Sequence, residues 1–448
     1  MKKKILDAAL IYLSKNSIGT SILKSKKITE NTSILDDKKI DIISNTDFSI
    51  DNYFTSVDIL KRNDSDSWDL FSIKLSNKCK IKYIIDLSFS KMVLSKLKIN
   101  ITKIYIIRLS SDYRFRKNIV EFIEQYDYTK EINITTEKLS NDIMQIEKTV
   151  EASNAPKLKL NKNCKNCIAI ERCIKKEKRK YTIFSIPNIS TSNIEKLTEL
   201  GITNIDKIPK DFKLSLYQKK IIECVLNNKI HYISENLKSE LCNIKTPFYY
   251  LDFESITTTI PLYHNCTPHT RIITQFSIDK TDEKWKLLAH YEYIANHKIN
   301  CSKKLVKKLI NCLSNNQGSI ITYSNFEFNS IIKFIEIFPN LRKELEKIIS
   351  RIINLELIIK KNYYNINFLG KLSIKSILPI ITNSDNNNDY KNCEINNGLE
   401  AAAAFSIIAN NLCKIKEINK IKQQLLKYCA QDTIAMIKIH KFLTKIAS

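Results

Sequence analysis

The sequence predicts a mixed α/β (α+β) protein, on three observations. The run Phe248-Tyr249-Tyr250-Leu251-Asp252-Phe253-Glu254 has the pattern of a buried strand ending in two carboxylates. Leu425 to Met436 repeats apolar residues at helical spacing. Tyr53–Leu60 and Trp68–Lys74 read as two strands joined by the polar turn Arg62–Ser67, followed by a helix from Ile81 to Leu97 and a strand from Lys103 to Leu109. At 448 residues the chain is long enough for two or three domains, each with its own core.

Side chains alternate across a strand, so Asp252 and Glu254 share a face, about 7 Å apart. An Asp-x-Glu at a strand end suits either a solvated edge or a divalent cation. In the C-terminal helix Tyr428 and Asp432 are four residues apart and project together. A surface Asp beside a core Tyr would give the same spacing. Between these segments, Ile320-Ile321-Thr322-Tyr323-Ser324-Asn325-Phe326-Glu327 is an apolar strand pattern that leads to a third acid.

In this order, the strand-end pair, the middle acid and the helical Tyr-x-x-x-Asp resemble the three motifs of DEDD-type 3′–5′ exonucleases on the ribonuclease H-like fold. The tyrosine variant fits, because the histidine variant would place its His where this chain has Lys427. The resemblance implies Asp252, Glu254, Glu327 and Asp432 as ligands to Mg²⁺ or Mn²⁺, in a two-metal site that stabilises both the attacking and the leaving oxygen. It implies Tyr428 as the group that orients the attacking water, since a phenol with a pKa of about 10 is a poor base at neutral pH. Glu327 departs from the wider superfamily, which usually has Asp there.

More of the C-terminal half carries a second resemblance, through Tyr249 to Ile256, Ile260-Pro261-Leu262-Tyr263, Thr274-Gln275-Phe276-Ser277, Gly370 to Pro379, Gly398-Leu399-Glu400-Ala401 and Tyr428 to Thr433. This ordered set is similar to the bacterial family called domain of unknown function 2779. In that family an exonuclease-like half typically follows a RecB-like half and a cysteine cluster. Asn354 stands where the family tends to carry Asp and is read as a supporting or structural position.

The N-terminal strands resemble the RecB-like PD-(D/E)XK nuclease core, with Asp58 as first acid and Lys74 as motif lysine. Ser72 stands where the motif needs a second acid, and Ser90 near where related sequences often have Gln. With too little negative charge to hold a cation, this half is expected to be a degenerate, inactive fold; a contrary reading has Asp58 and Lys74 recruit an acid such as Asp86.

Cys164, Cys167 and Cys173 form a C-x2-C-x5-C trio after that core. RecB-like nucleases with an iron–sulfur cluster often carry such a trio and a fourth, more N-terminal cysteine, but here none precedes Cys79. Three readings stay open: a cluster completed by another ligand, a zinc site, or ordinary reduced thiols. Cys242, Cys312 and Cys413 are expected to be small core hydrophobes.

The net charge of +25 suits an anionic polymer, although the abundance of Lys, Asn and Ile beside 5 Gly also fits A+T-rich coding; the expected partner is DNA or RNA, single-stranded. Lysines around the cysteine trio (Lys157, Lys159, Lys162 and the run from Lys175 to Lys180) could line a strand path or a solvated face. No membrane segment is evident, Asp7 interrupts the apolar stretch after Met1-Lys2-Lys3-Lys4, and the cysteines suit a reducing compartment, so the expected location is the cytoplasm.

The expected domains are 1–155, degenerate nuclease; 156–180, cysteine-bearing connector; 181–246, helical spacer with a faint helix-hairpin-helix likeness at Leu197–Ile202 and Ile205–Pro209; and 247–448, exonuclease, broken by a polar loop from Thr382 to Asn392. The expected function is metal-dependent 3′–5′ exonuclease-like hydrolysis of DNA or RNA. The competing class is a non-catalytic nucleic-acid-binding or assembly protein that keeps both nuclease folds as scaffolds.

Overall fold

The computed structural model describes residues 1–14, 21–24, 27–29, 37, 39–63, 67–154, 157, 159–176, 181–264, 266–314, 317–382 and 394–448. The expected turn's tip at 64–66, most of the basic run after Lys176 and the polar loop beyond Thr382 lie outside them. The chain divides into two compact units, Met1–Pro156 with Thr257–Arg271, and Lys157–Ile256 with Ile272–Ser448.

The first unit is a seven-stranded sheet: β1 (Ile22–Lys24), β2 (Lys27–Ile28), β3 (Ile42–Ile50), β4 (Tyr53–Arg62), β5 (Ser67–Ile73), β6 (Asn100–Leu109) and β7 (Ile123–Asp127). Its order is β1-β3-β4-β5-β6-β7, with β2 also on β3. The β3-β4-β5 meander is antiparallel, whereas β5 and β6 run parallel because the helix Ile81–Lys96 crosses between them. Both faces are covered at the centre of the sheet, where β5 and β6 each end in four consecutive buried residues, whereas β3 and β4 alternate over part of their length. Leu60, Leu70 and Ile106 pack under Ile84, Leu87 and Val93 of that helix, and Ile59, Phe71 and Ile107 pack under Ile5, Ala9 and Leu13 of the helix Lys2–Ser14.

The second unit holds β8 (His231–Ile233), β9 (Phe248–Thr257), β10 (Arg271–Thr281), β11 (Leu287–Ile294), β12 (Ile320–Thr322), β13 (Ile352–Asn354) and β14 (Tyr363–Asn365). Five of these make a mixed sheet, order β11-β10-β9-β12-β13, in which β10–β11 is antiparallel and β9–β12 and β12–β13 are parallel; β8 and β14 form a separate antiparallel pair. The segment expected to be a helical spacer carries the helices Thr191–Glu199, Leu216–Leu226 and Leu237–Cys242 as well as β8. The hairpin likeness there is half formed. Its second limb is one 3₁₀ turn, Ile205–Lys207, closed over a small core of Ile194, Leu197 and Ile205.

Strand β9 sorts its side chains by parity. Tyr249, Leu251 and Phe253 enter a core with Leu305, Leu309, Ile331 and Phe334, from the helices Ser302–Leu313 and Phe326–Ile337. Phe248 and Tyr250 enter another with Ala435, Met436, Ile439 and Leu443 of the 33-residue helix Ile415–Ala447. Asp252 and Glu254 continue this second face beyond the apolar pair. Gly318, just before β12, permits the strand approach: a Cβ there would lie 1.9 Å from the Pro247 carbonyl oxygen, so no larger residue fits.

Candidate metal centre

Asp252, Glu254 and Asp432 each offer a carboxylate oxygen, and these atoms lie within 4.8 Å of one another. Strand parity brings the first two to the face that the long helix covers. On that helix Leu425, Tyr428, Asp432, Met436 and Ile439 recur at three- and four-residue steps and are buried. The same stripe that packs apolar residues against Phe248 and Tyr250 therefore brings Tyr428 and Asp432 to Asp252 and Glu254.

The helix is held at the site by polar bonds from β10. Gln275, Ser277 and Asp279 share one face of that strand; Gln275 Nε2 donates to the Leu425 carbonyl at 2.8 Å, and Thr433 Oγ1 donates to Asp279 Oδ2 at 2.6 Å and lies 3.5 Å from Ser277 Oγ. Asp279 is also bonded to His290 Nδ1, at 2.7 Å. These partners satisfy a buried carboxylate that would otherwise be costly. They also fix the helix one residue from Asp432.

Glu327 opens the helix Phe326–Ile337, where the Ser324 hydroxyl accepts from the Phe326 N–H at 3.1 Å. It is 3% exposed, its carboxylate accepts from its own backbone N–H and that of Phe253, and its Oε2 has no hydrogen-bond partner among the described residues. It lies outside the 4.8 Å group, yet its charge acts on Asp252.

Crowded carboxylates resist ionisation. Burial, then the charges of Asp432, Glu254 and Glu327, push Asp252 well above the usual carboxylate range. Burial and Asp432 push Glu254 up to about 7, against the opposing pull of Lys375. Burial pushes Glu327 up to about 8, with Glu254 and Asp432 adding to the shift. Burial and the nearby carboxylates raise the Tyr428 phenol, which therefore keeps its proton. The Cys429 thiol is likewise held protonated by burial, and its Sγ donates to Asp252 Oδ2 at 3.2 Å.

An unpartnered buried Glu327 oxygen beside a compact all-oxygen donor set is what a hard divalent cation requires, so these residues fit Mg²⁺ or Mn²⁺. The cysteine trio forms no such group among the described residues. Cys164 caps the 3₁₀ turn Lys162–Asn166, Cys167 is exposed, Cys173 sits on the helix Ile170–Lys176, and the three sulfurs are not within ligand-sharing distance. Among the described residues there is no disulfide. Cys312 and Cys413 are partly exposed and Cys242, at a helix end, is exposed, which corrects the expectation that all three are core residues.

In the first unit, Asp58 accepts from the Ile73 N–H at 2.7 Å and from Ser72 Oγ at 3.2 Å, and pairs with Lys2 Nζ at 2.7 Å. Lys74 lies with its ammonium 4.8 Å from the Tyr83 ring; burial lowers its pKa, against the charges of Asp58 and Asp86. Ser90 is bonded to Thr55 and to the Asp86 carbonyl. No three-residue ligand group forms here among the described residues. In the second unit, Asn354 ends β13 and caps the helix Leu355–Asn362 by accepting from the Leu357 N–H at 2.9 Å, a role Asp would also fill.

Residues 249–373 match the family model described as domain of unknown function 2779. That stretch takes in Asp252, Glu254 and Glu327 and stops short of Tyr428 and Asp432. The chain is also 28% identical over 227 residues to the uncharacterized protein MG366 of Mycoplasma genitalium, covering 47% of this chain and 34% of that one. It thus spans about a third of the length of that curated relative. No solved structure matches it. No helix among the described residues is long and apolar enough to cross a membrane.

Sequence reasoning did not single out Lys375, Cys429, Asp279 or Gly398. Lys375 opens the helix Ile374–Ile381, and its Nζ donates to the Tyr428 hydroxyl at 3.0 Å. A Cβ on Gly398 would lie 3.6 Å from Glu254 Oε2. These contacts join residues tens to hundreds of positions apart, so no local spacing announces them. The motif stretches containing Lys375, Gly398 and Cys429 were the available signal.

Proposed function

We propose that the chain is a divalent-metal-dependent 3′–5′ exonuclease-like enzyme acting on DNA or RNA, with a DEDD-type site of the tyrosine variant in its second unit. The observation that carries this reading is the convergence of Asp252, Glu254 and Asp432 beside Tyr428. The sheet order supports a ribonuclease H-like unit: numbered within the sheet it is 3-2-1-4-5, with the acid pair on strand 1 and strands 4 and 5 parallel to it. The first unit's antiparallel meander, crossover helix and parallel strand support the RecB-like reading, and the full set of partners on Asp58 supports its being inactive.

Asp252, Glu254, Asp432 and Glu327 would hold Mg²⁺ or Mn²⁺. When bound, the metal would supply Lewis-acid stabilisation of charge on the attacking and leaving oxygens of a phosphodiester. Tyr428, held neutral, would orient a water by hydrogen bonding rather than deprotonate it. Cys429 steadies Asp252, and the β10 bonds set the register of Asp432. The +25 charge favours a polyanionic substrate through sequence-independent attraction to phosphates. Cytoplasmic location and a single-stranded substrate belong to the same proposal.

The test is incubation of 5′-labelled single-stranded DNA and RNA with purified protein, with and without Mn²⁺ or Mg²⁺, beside an Asp252→Ala/Asp432→Ala double variant. A metal-dependent ladder shortening from the 3′ end, absent in the variant, is expected and identifies the preferred polymer. Binding by both proteins without cleavage by either would instead establish the scaffold class.

A further inference from the structure

Lys375 is a cation inside an acidic site, and its bonds set it apart from an ordinary surface lysine. Its Nζ donates to Tyr428 Oη at 3.0 Å and to the Asn396 carbonyl, and stands 4.7 Å from the centre of the Tyr428 ring. Its charge also acts on Glu254, opposing the carboxylates around it. The side chain is half-buried, on a helix that Ser373 leads into and that packs against Ile415–Ala447.

An ammonium only donates, and a phenol oxygen has one proton and two lone pairs. When Lys375 takes a lone pair of Oη, the phenol's proton is directed elsewhere. The Asn396 carbonyl holds the ammonium, and the ring face adds cation–π attraction. Tyr428 is therefore fixed through its hydroxyl as well as by burial of its ring.

We propose that Lys375 is a positioning residue of this site: it fixes the Tyr428 hydroxyl so that its O–H is free to donate to a reacting oxygen, and it serves as the resident cation that partly offsets Glu254 and its neighbours. This rests on the nuclease reading of the site. Two consequences follow. Lys375 and Tyr428 act as one unit in turnover. Lys375 also competes electrostatically with a divalent cation for the same carboxylates.

The experiment compares wild type with Lys375→Met, Lys375→Arg, Tyr428→Phe and the Lys375→Met/Tyr428→Phe double variant. Mn²⁺ binding is followed by calorimetry and electron spin resonance, and cleavage of labelled single-stranded DNA and RNA is followed in Mn²⁺; circular dichroism confirms that each variant is folded. Lys375→Met is expected to bind Mn²⁺ about five- to tenfold more tightly, Lys375→Arg and Tyr428→Phe near the wild-type value. In turnover Lys375→Met is expected to lower kcat about tenfold with KM nearly unchanged, Lys375→Arg to recover part of the loss, and the double variant to be no slower than Tyr428→Phe alone. Unchanged Mn²⁺ affinity in folded Lys375→Met, or losses that multiply in the double variant, would overturn the proposal while leaving the nuclease reading intact. A wild-type protein that neither binds Mn²⁺ nor cleaves would overturn the nuclease reading and this inference with it.

Discussion

At the scale of single residues, burial first and mutual repulsion second keep the carboxylates protonated. Glu254 near 7, Glu327 near 8 and Asp252 well above the ordinary range all mean that the metal-free folded protein holds protons which the unfolded chain would release. Folded-state pKa values raised in this way contribute stability that is fully present below about pH 4 and lost as pH rises through 7 to 8. Thermal melts of metal-free protein are therefore expected to fall in Tm between pH 5 and 8.5, and saturating Mn²⁺ to flatten the curve. Glu327→Gln is expected to raise the metal-free stability at pH 8.5, because it removes a buried group that must ionise there. A Tm that rises between pH 6.5 and 8.5 in the absence of metal would contradict this account. Metal affinity carries the opposite sign: it should strengthen from pH 6 to 8 and release protons, measurable as a buffer-dependent heat in calorimetry.

At the scale of elements, strand β9 and the helix Ile415–Ala447 divide one interface between a core and a site. The apolar end contains a buried histidine, His440, whose Nδ1 lies 2.9 Å from Tyr250 Oη and whose pKa burial lowers to about 4. The unfolded chain takes up that proton near pH 6.5, so this group's contribution to stability is lost as pH falls from about 6.5 to 4. His440→Phe is expected to reduce the acid sensitivity of unfolding in that window. At the polar end, Thr433→Val leaves Asp279 buried with one partner fewer, which is expected to cost about 1–3 kcal/mol by urea denaturation and to weaken Mn²⁺ binding through Asp432. The strand and the helix were legible in the sequence because their periodicities are strong: two residues for Phe248 to Glu254, three and four for Leu425 to Met436. The β10 clamp was not. Gln275, Ser277 and Asp279 meet partners about 150 residues away, and a polar alternation in a strand ordinarily signals a wet face.

At the scale of the whole molecule, each unit can be tested separately. Asp58 is saturated by Lys2, Ser72 and Ile73, so Asp58→Ala is expected to leave cleavage within about twofold of wild type, whereas Asp252→Ala or Asp432→Ala removes it. Equal loss in all three variants would reverse the assignment of the active unit. The nearness of Asp58 to Ser72 and Lys74 was readable from the sequence, because hairpin neighbours reveal themselves locally. Lys2 as an occupant of Asp58 was not readable, since nothing in a run of three N-terminal lysines says which one folds back. The cysteine trio shows the converse: C-x2-C-x5-C is a legible spacing, but one sulfur caps a turn and another faces solvent.

The carboxylate centre also has a history within each molecule's own synthesis. Asp252 and its thiol partner Cys429 are 177 residues apart in the chain. At ribosomal rates of about 5–20 residues per second, strand β9 waits roughly 10–40 s for the helix that completes the site. During that interval Asp252 and Glu254 lack both Asp432 and Tyr428. The acids of strand β9 therefore stay apart from Tyr428 and Asp432 until the helix Ile415–Ala447 has been made.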